Sequence, residues 1–86
     1  MTAHERLVAE GFDDVIIFGA PTSYDDALVG VTGDGRAVYD YARMVAWLVE
    51  TDGMTEDEAE EWISYNTIGS LPYAGSRGPI VMYPLS

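Results

Sequence analysis

The chain has 86 residues, of which 48% are hydrophobic and 12% aromatic, a composition typical of one folded domain and not of a disordered acidic tail. Its 15 Asp and Glu residues stand against 4 Arg and no Lys, so the formal net charge is −11. This balance argues against direct binding to nucleic acids or to anionic membranes, because both are held through clustered Lys and Arg.

The first part of the chain is predicted to form a short helix and then a strand. Thr2 and Glu5 have the spacing of a capping box, and Gly11 suits the left-handed residue that ends a helix. Residues 15–18 are a run of β-branched and aromatic side chains, which predicts a buried strand.

A β-hairpin is predicted next in the chain. Residues 27–32 and 36–39 are the two strands, and they flank Gly33, Asp34 and Gly35. A glycine on each side of the aspartate supplies the positive φ that a tight connection requires.

Two helices are predicted after the hairpin. Asp40 suits an N-cap, apolar residues recur at helical spacing over residues 41–51, and Gly53 suits a C-cap. Thr55 and Glu58 form a second capping box, which begins the second helix. Because the connection is short, we expect an antiparallel pair of helices.

The C-terminal part is predicted to be an ordered loop and a last strand. Glycine and proline recur over residues 69–79, and residues 80–83 are apolar up to Pro84. We expect an α+β fold in a single domain over residues 1–86, with the order α-β-β-β-α-α-β. A small, mainly antiparallel sheet of three or four strands would carry an αα-hairpin on one face.

Few side chains suited to catalysis are present. The chain has no cysteine, His4 is the single histidine, and no phosphate-binding glycine motif occurs. The Asp pairs at 13–14 and 25–26 could form an acid/base or Mg²⁺ site, but adjacent residues of a strand point to opposite faces. We therefore expect no enzyme, no metal site and no cofactor.

The cellular location is predicted from two further features. No apolar run reaches the length of about 18 residues that a membrane-spanning helix needs. The first residues also lack the layout of a secretory signal. We expect a cytoplasmic protein, in the simplest case a monomer.

The carboxylates have two possible roles. Several fit local duties as caps, as turn residues or in the first turn of a helix. Two like-charge pairs at i, i+4, Glu56 with Glu60 and Asp57 with Glu61, instead cost about 0.2–0.5 kcal/mol each in an exposed helix. Either the acidic surface serves only solubility, or its carboxylates imitate DNA phosphates and occupy a basic nucleic-acid-binding surface on another protein.

The docking hypothesis selects eight partner-binding candidates. These are Asp13, Asp14, Asp25, Asp26, Glu56, Asp57, Glu60 and Glu61. Most aromatic residues, Tyr65 among them, fall at positions compatible with a core. Tyr24 and Tyr73 lie in predicted loops and are candidate anchors for an alternative, an accessory or adaptor protein that docks through aromatic loops.

Parts of the chain resemble a family of short phage and prophage proteins. The resemblance covers roughly residues 27–85 and rests on residues 38–45, 52–54, 58–63, 65–68, 71–75 and 79–83. The segment Tyr65-Asn66-Thr67-Ile68, followed by Leu71-Pro72-Tyr73, is its most distinctive marker. The family includes small acidic anti-CRISPR proteins, and this chain is similar in size and charge to one that blocks type I-C systems. The resemblance implies a DNA mimic that binds the Cas8 subunit of the Cascade complex and prevents recognition of target DNA.

Overall fold

Three helices and three strands form an α+β fold within residues 2–19 and 22–85, the part of the chain that the computed structural model describes. The elements are α1 (Ala3–Ala9), β1 (Leu28–Val31), β2 (Ala37–Asp40), α2 (Tyr41–Asp52), α3 (Glu56–Trp62) and β3 (Ile80–Met82). The predicted fold class is confirmed, with one strand fewer than the predicted order contains. Within these residues, no helix combines the length and the apolar character needed to cross a bilayer.

The sheet has the strand order β1-β2-β3 and is mixed, with one antiparallel and one parallel pair, which corrects the prediction of a mainly antiparallel sheet. β1 and β2 form the antiparallel hairpin that the sequence predicts, with Val31 opposite Ala37. Gly35 has a φ of 85° and its N–H donates to the Thr32 carbonyl at 3.0 Å, whereas the predicted positive φ at Gly33 does not occur. β2 and β3 are parallel, because the intervening helices return the chain to the end of the sheet where β2 begins.

Residues 15–18 form no strand, which corrects the prediction of a buried strand at this position. The side chains of Val15, Ile17 and Phe18 nevertheless pack on the core, whereas Ile16 is exposed. The ring of Phe18 lies 4.7 Å from that of Tyr39 and 5.5 Å from that of Tyr24. The Phe18 N–H donates to the Tyr39 hydroxyl at 3.4 Å, so a side chain takes the place of a neighbouring strand. A β-branched and aromatic run therefore indicates burial here, and the burial is reached without a ladder of strand hydrogen bonds.

The capping signals predict the helix ends correctly. The hydroxyl of Thr2 accepts from the N–H of Glu5 at 3.1 Å, and the hydroxyl of Thr55 accepts from the N–H of Glu58 at 3.2 Å. In both boxes the glutamate accepts in return from the threonine N–H. Gly53 ends α2 with a φ of 67°.

α2 and α3 pack together on the core. Asp40 caps α2 by accepting from the N–H of Arg43 at 3.1 Å. α2 contacts α3, and the pair buries Met44, Leu48 and Ala59 in the same apolar cluster as the strand residues. The predicted pair of helices beside the sheet is thus present.

The segment after α3 departs from the prediction. A π-helical turn over Ile63–Thr67 and a 3₁₀ helix over Ile68–Ala74 follow α3 without a break, where an ordered loop was expected from residue 69. A π turn inserts an extra residue into the helical spacing, so it changes which side chains face solvent. Tyr65 and Asn66, which belong to the candidate site described below, lie in this turn.

Candidate protein-binding surface

Five exposed carboxylates lie on α3; Glu58 belongs to the capping box, and we call the other four the α3 acidic face. They are Glu56, Asp57, Glu60 and Glu61. Ala59 is fully buried between them in the sequence, so one side of the helix packs on the core while the others face solvent. Both predicted like-charge i, i+4 pairs therefore lie on a continuous helix, where such residues are neighbours about 5–6 Å apart.

The arginines do not neutralise this face. The guanidinium of Arg6 donates to the Asp25 carbonyl at 3.1 Å, and that of Arg36 donates to the Gly78 carbonyl at 2.9 Å. Among residues 2–19 and 22–85, the one ion pair within 4.0 Å joins Arg77 to Asp14, at 3.9 Å. Two of the four arginines thus serve the backbone of the fold, and the α3 acidic face has no cationic partner among the described residues.

The other four predicted candidates lie on different parts of the fold. Asp14, which pairs with Arg77, is exposed, and so are Asp13 and Asp26. Asp25 is half-buried, and its carboxylate accepts from the Ala3 N–H at 2.9 Å. The structure therefore gives Asp25 a role in holding the start of α1. Asp25 and Asp26 share a short 3₁₀ turn, whereas four of the eight candidates lie together on α3.

Tyr24 is a core residue, so its prediction as a loop anchor is wrong. Its side chain is only 1% exposed, and its ring lies 5.5 Å from that of Trp47. The Tyr24 hydroxyl and the Thr67 hydroxyl share a hydrogen bond of 2.5 Å. The loop position suggested exposure because this contact joins residues 43 positions apart, which no local pattern reveals.

Two other tyrosines are the exposed ones. Tyr73 is 90% exposed, in agreement with its prediction as a candidate anchor. Tyr65 is 77% exposed, although its position was judged compatible with a core. Tyr65 lies inside the π turn between the buried Ile63 and Thr67, with its own side chain in solvent. The available sequence signal is the helical spacing itself, which places Ala59, Trp62 and Ile63 on one face and leaves Tyr65 off it.

A shallow groove of about 440 Å³ runs along α3 and the π turn. It is lined by Met54, Glu58, Glu61, Trp62, Tyr65 and Asn66. The groove therefore places carboxylates, aromatic rings and an amide side by side at one edge of the α3 acidic face. A second groove of about 550 Å³ lies between α1 and β1, and its lining includes Phe12 and Val29 together with Arg6 and Glu10.

Three tyrosine hydroxyls have pKa values above the usual one. Burial raises the pKa of Tyr39 to about 12 and also raises the pKa of Tyr24. Burial raises the pKa of Tyr41 as well, and the nearby charge of Glu60 adds to this because it opposes a second negative charge. The ring of Tyr41 packs on that of Tyr83 at 4.8 Å, so the α3 acidic face borders an aromatic pair.

The described residues hold no group of three or more His, Asp or Glu side chains placed to bind a metal ion. Comparisons with protein-family models, with curated proteins and with solved structures found no match for this chain. The function must therefore be argued from the surface itself. Exposed carboxylates on a rigid helix can attract and hold a cationic surface, and this is the chemistry that the arrangement offers.

Proposed function

We propose that the protein is an anti-CRISPR inhibitor that acts as an acidic DNA mimic. It binds a basic DNA-recognition surface of a type I Cascade complex, on the Cas8 subunit, and blocks the binding of target DNA. It does so by occupancy, without catalysis, in the cytoplasm of a bacterial host cell. The net charge of −11 and the family resemblance described above support this proposal.

The observation that carries the proposal is the α3 acidic face without cationic partners. Each like-charge pair on it costs about 0.2–0.5 kcal/mol of helix stability, and folding gains nothing in return. The N-terminal end of α3 reduces this cost for Glu56 and Asp57, because the helix dipole favours anions in the first turn. Glu60 and Glu61 lie beyond that turn and have no such compensation.

A partner with a basic groove would remove the repulsion. Lys and Arg that normally contact phosphates would instead contact carboxylates presented at fixed helical spacing. Opposite charge also accelerates the encounter, and this steering weakens as salt shortens the range of the field. The expected signature is therefore binding that is fast and strongly dependent on ionic strength.

The α3 acidic face can be tested by charge reversal. The triple variant Asp57→Lys, Glu60→Lys, Glu61→Lys should keep the fold and lose most of its affinity for purified Cascade in a surface-binding measurement. A matched triple, Glu10→Lys, Glu50→Lys, Asp52→Lys, changes the net charge equally at exposed positions outside the face and should lose much less. Equal loss in both triples would show that only net charge matters, and full binding by the first would remove α3 as the contact.

A second candidate function rests on Tyr73, which is 90% exposed. In this alternative the chain is a phage accessory or adaptor protein that docks through the 3₁₀ segment Ile68–Ala74, and the acids serve solubility. Salt separates the two functions. Raising ionic strength from about 0.01 M to about 0.15 M shortens the Debye length from about 30 Å to about 8 Å, which weakens a mimic but not an apolar adaptor.

A further inference from the structure

The groove beside α3 has more free hydrogen-bond acceptors than free donors. The Oε1 atom of Glu58 accepts from the Thr55 N–H at 2.9 Å, which leaves its second carboxylate oxygen free. The Nδ2 atom of Asn66 donates to the Trp62 carbonyl at 3.2 Å, which leaves the amide oxygen of Asn66 free. Glu61 makes no hydrogen bond or ion pair with any residue that the structure describes. Apart from the second N–H of the Asn66 amide, the free polar groups of these side chains are therefore acceptors, and two of the three side chains are charged.

The same groove has aromatic walls. Trp62 is half-buried and fixed against the core, whereas Tyr65 is 77% exposed and presents its ring to solvent. Both residues line the groove together with Met54. An aromatic face attracts a cation that lies over it, by about 0.5–1 kcal/mol at exposed sites. No Arg or Lys of this chain lines the groove, so the cation must come from a partner.

We propose that this groove receives the guanidinium group of an arginine side chain from the partner. The inference rests on the proposed function, because it names the side chain with which a basic surface would engage the α3 acidic face. A guanidinium is flat, so it can stack on an aromatic ring while its fork of N–H donors reaches the free acceptors. A lysine ammonium has the charge but neither the plane nor the fork, so arginine is preferred.

The groove can be tested without Cascade, by titrating the ¹⁵N-labelled protein with nona-arginine and nona-lysine at one fixed salt concentration. The two peptides carry equal charge, so a difference in affinity reports side-chain chemistry and not steering. We expect nona-arginine to bind about 2–5-fold more tightly, which is the size of a cation–π contribution at an exposed site. The indole N–H signal of Trp62 should shift with nona-arginine, while that of Trp47, which does not line the groove, serves as an internal reference.

Four variants test whether the groove is the source of this preference. Tyr65→Ala should abolish the preference for arginine, and Tyr65→Phe should retain it because the ring stays in place. Glu61→Gln should weaken nona-arginine binding more than Asp57→Asn does, since both remove one charge from α3 but only Glu61 lines the groove. Tyr65 and Glu61 are exposed, so these substitutions leave the core untouched.

The outcomes separate this inference from the proposed function. Equal affinity for the two peptides, or equal effects of Glu61→Gln and Asp57→Asn, would overturn the arginine site, even if the protein still displaces DNA from Cascade. A preference for arginine that disappears in Tyr65→Ala would support the site. It would do so even if Cascade bound its target DNA normally in the presence of the protein, a result that would overturn only the proposed function.

Discussion

Tyr24 combines a strained backbone with a buried hydroxyl. Its φ of 49° makes it the one non-glycine residue with a positive φ among the residues described, a conformation that costs roughly 1–2 kcal/mol. Packing against Phe18 and Trp47 and the hydrogen bond to Thr67 hold it there. The contact ties the π turn to the segment that precedes β1, so it positions Tyr65 and the groove.

We predict that Thr67→Val lowers the free energy of unfolding by about 1–3 kcal/mol. Valine has the same shape as threonine, so the loss arises because the buried Tyr24 hydroxyl is left without its partner. Urea denaturation followed by circular dichroism measures the change. The double variant Tyr24→Phe, Thr67→Val should recover part of the loss, because it removes both polar groups. An unchanged stability in Thr67→Val would contradict the role given to this bond.

Tyr39 predicts how stability depends on alkaline pH. Burial raises the pKa of its hydroxyl from 10.0 to about 12, so the folded protein holds a proton that the unfolded chain releases. Its contribution to stability is complete below pH 10.0 and decreases between pH 10.0 and about 12. Denaturant titrations across this range should show falling stability, and Tyr39→Phe should flatten the fall. An equally steep fall in Tyr39→Phe would assign the effect to other tyrosines.

α3 depends on its capping box. We predict that Thr55→Ala lowers the free energy of unfolding by about 0.5–2 kcal/mol, because the N–H of Glu58 loses its acceptor. Thr51→Ala is the control, since that hydroxyl donates to the Trp47 carbonyl within α2 and alanine favours a helix interior. Equal losses in the two variants would show that the box adds nothing beyond the loss of a threonine.

The α3 acidic face should lower the stability of the fold and favour binding to a cationic partner. We predict that Glu60→Gln raises the free energy of unfolding by about 0.2–0.5 kcal/mol, because it removes the repulsion with Glu56 four residues earlier. The same variant should bind Cascade less tightly. Thermal unfolding at low and high salt measures the first effect, and the gain should vanish at high salt. A gain that persists there would have a cause other than charge.

Local sequence signals account for the ends of the helices, including the start of α3. The capping boxes, Asp40 and Gly53 act within a few residues, so the helix ends are predicted correctly. The strand predicted at residues 15–18 is absent and Tyr24 is buried, because contacts with distant residues hold both segments. The π turn after α3 has no recognised local signal. The α3 acidic face therefore follows from local pattern, whereas the packing of the segment beside its groove does not.

On the scale of the whole molecule, two of the four arginines donate hydrogen bonds to the backbone of the fold. Arg6 of α1 donates to the Asp25 carbonyl in the segment before β1. Arg36 of the hairpin donates to the Gly78 carbonyl in the segment before β3. These bonds help to hold a sheet whose parallel β2–β3 pairing joins segments about 40 residues apart. The pairing could not be predicted from local pattern, since it depends on the path of the intervening helices. The same use of arginine leaves the α3 acidic face free to meet a cationic partner.

The most direct test of DNA mimicry is a gel shift of target DNA by a type I-C Cascade complex that has been incubated with the protein. We predict that the wild-type protein abolishes the shifted band in proportion to its concentration. The variant Asp57→Lys, Glu60→Lys, Glu61→Lys should restore the band, and Glu10→Lys, Glu50→Lys, Asp52→Lys should leave inhibition largely intact. Normal DNA binding by Cascade with an excess of the folded wild-type protein would contradict the claim that the α3 acidic face occupies its DNA-binding surface.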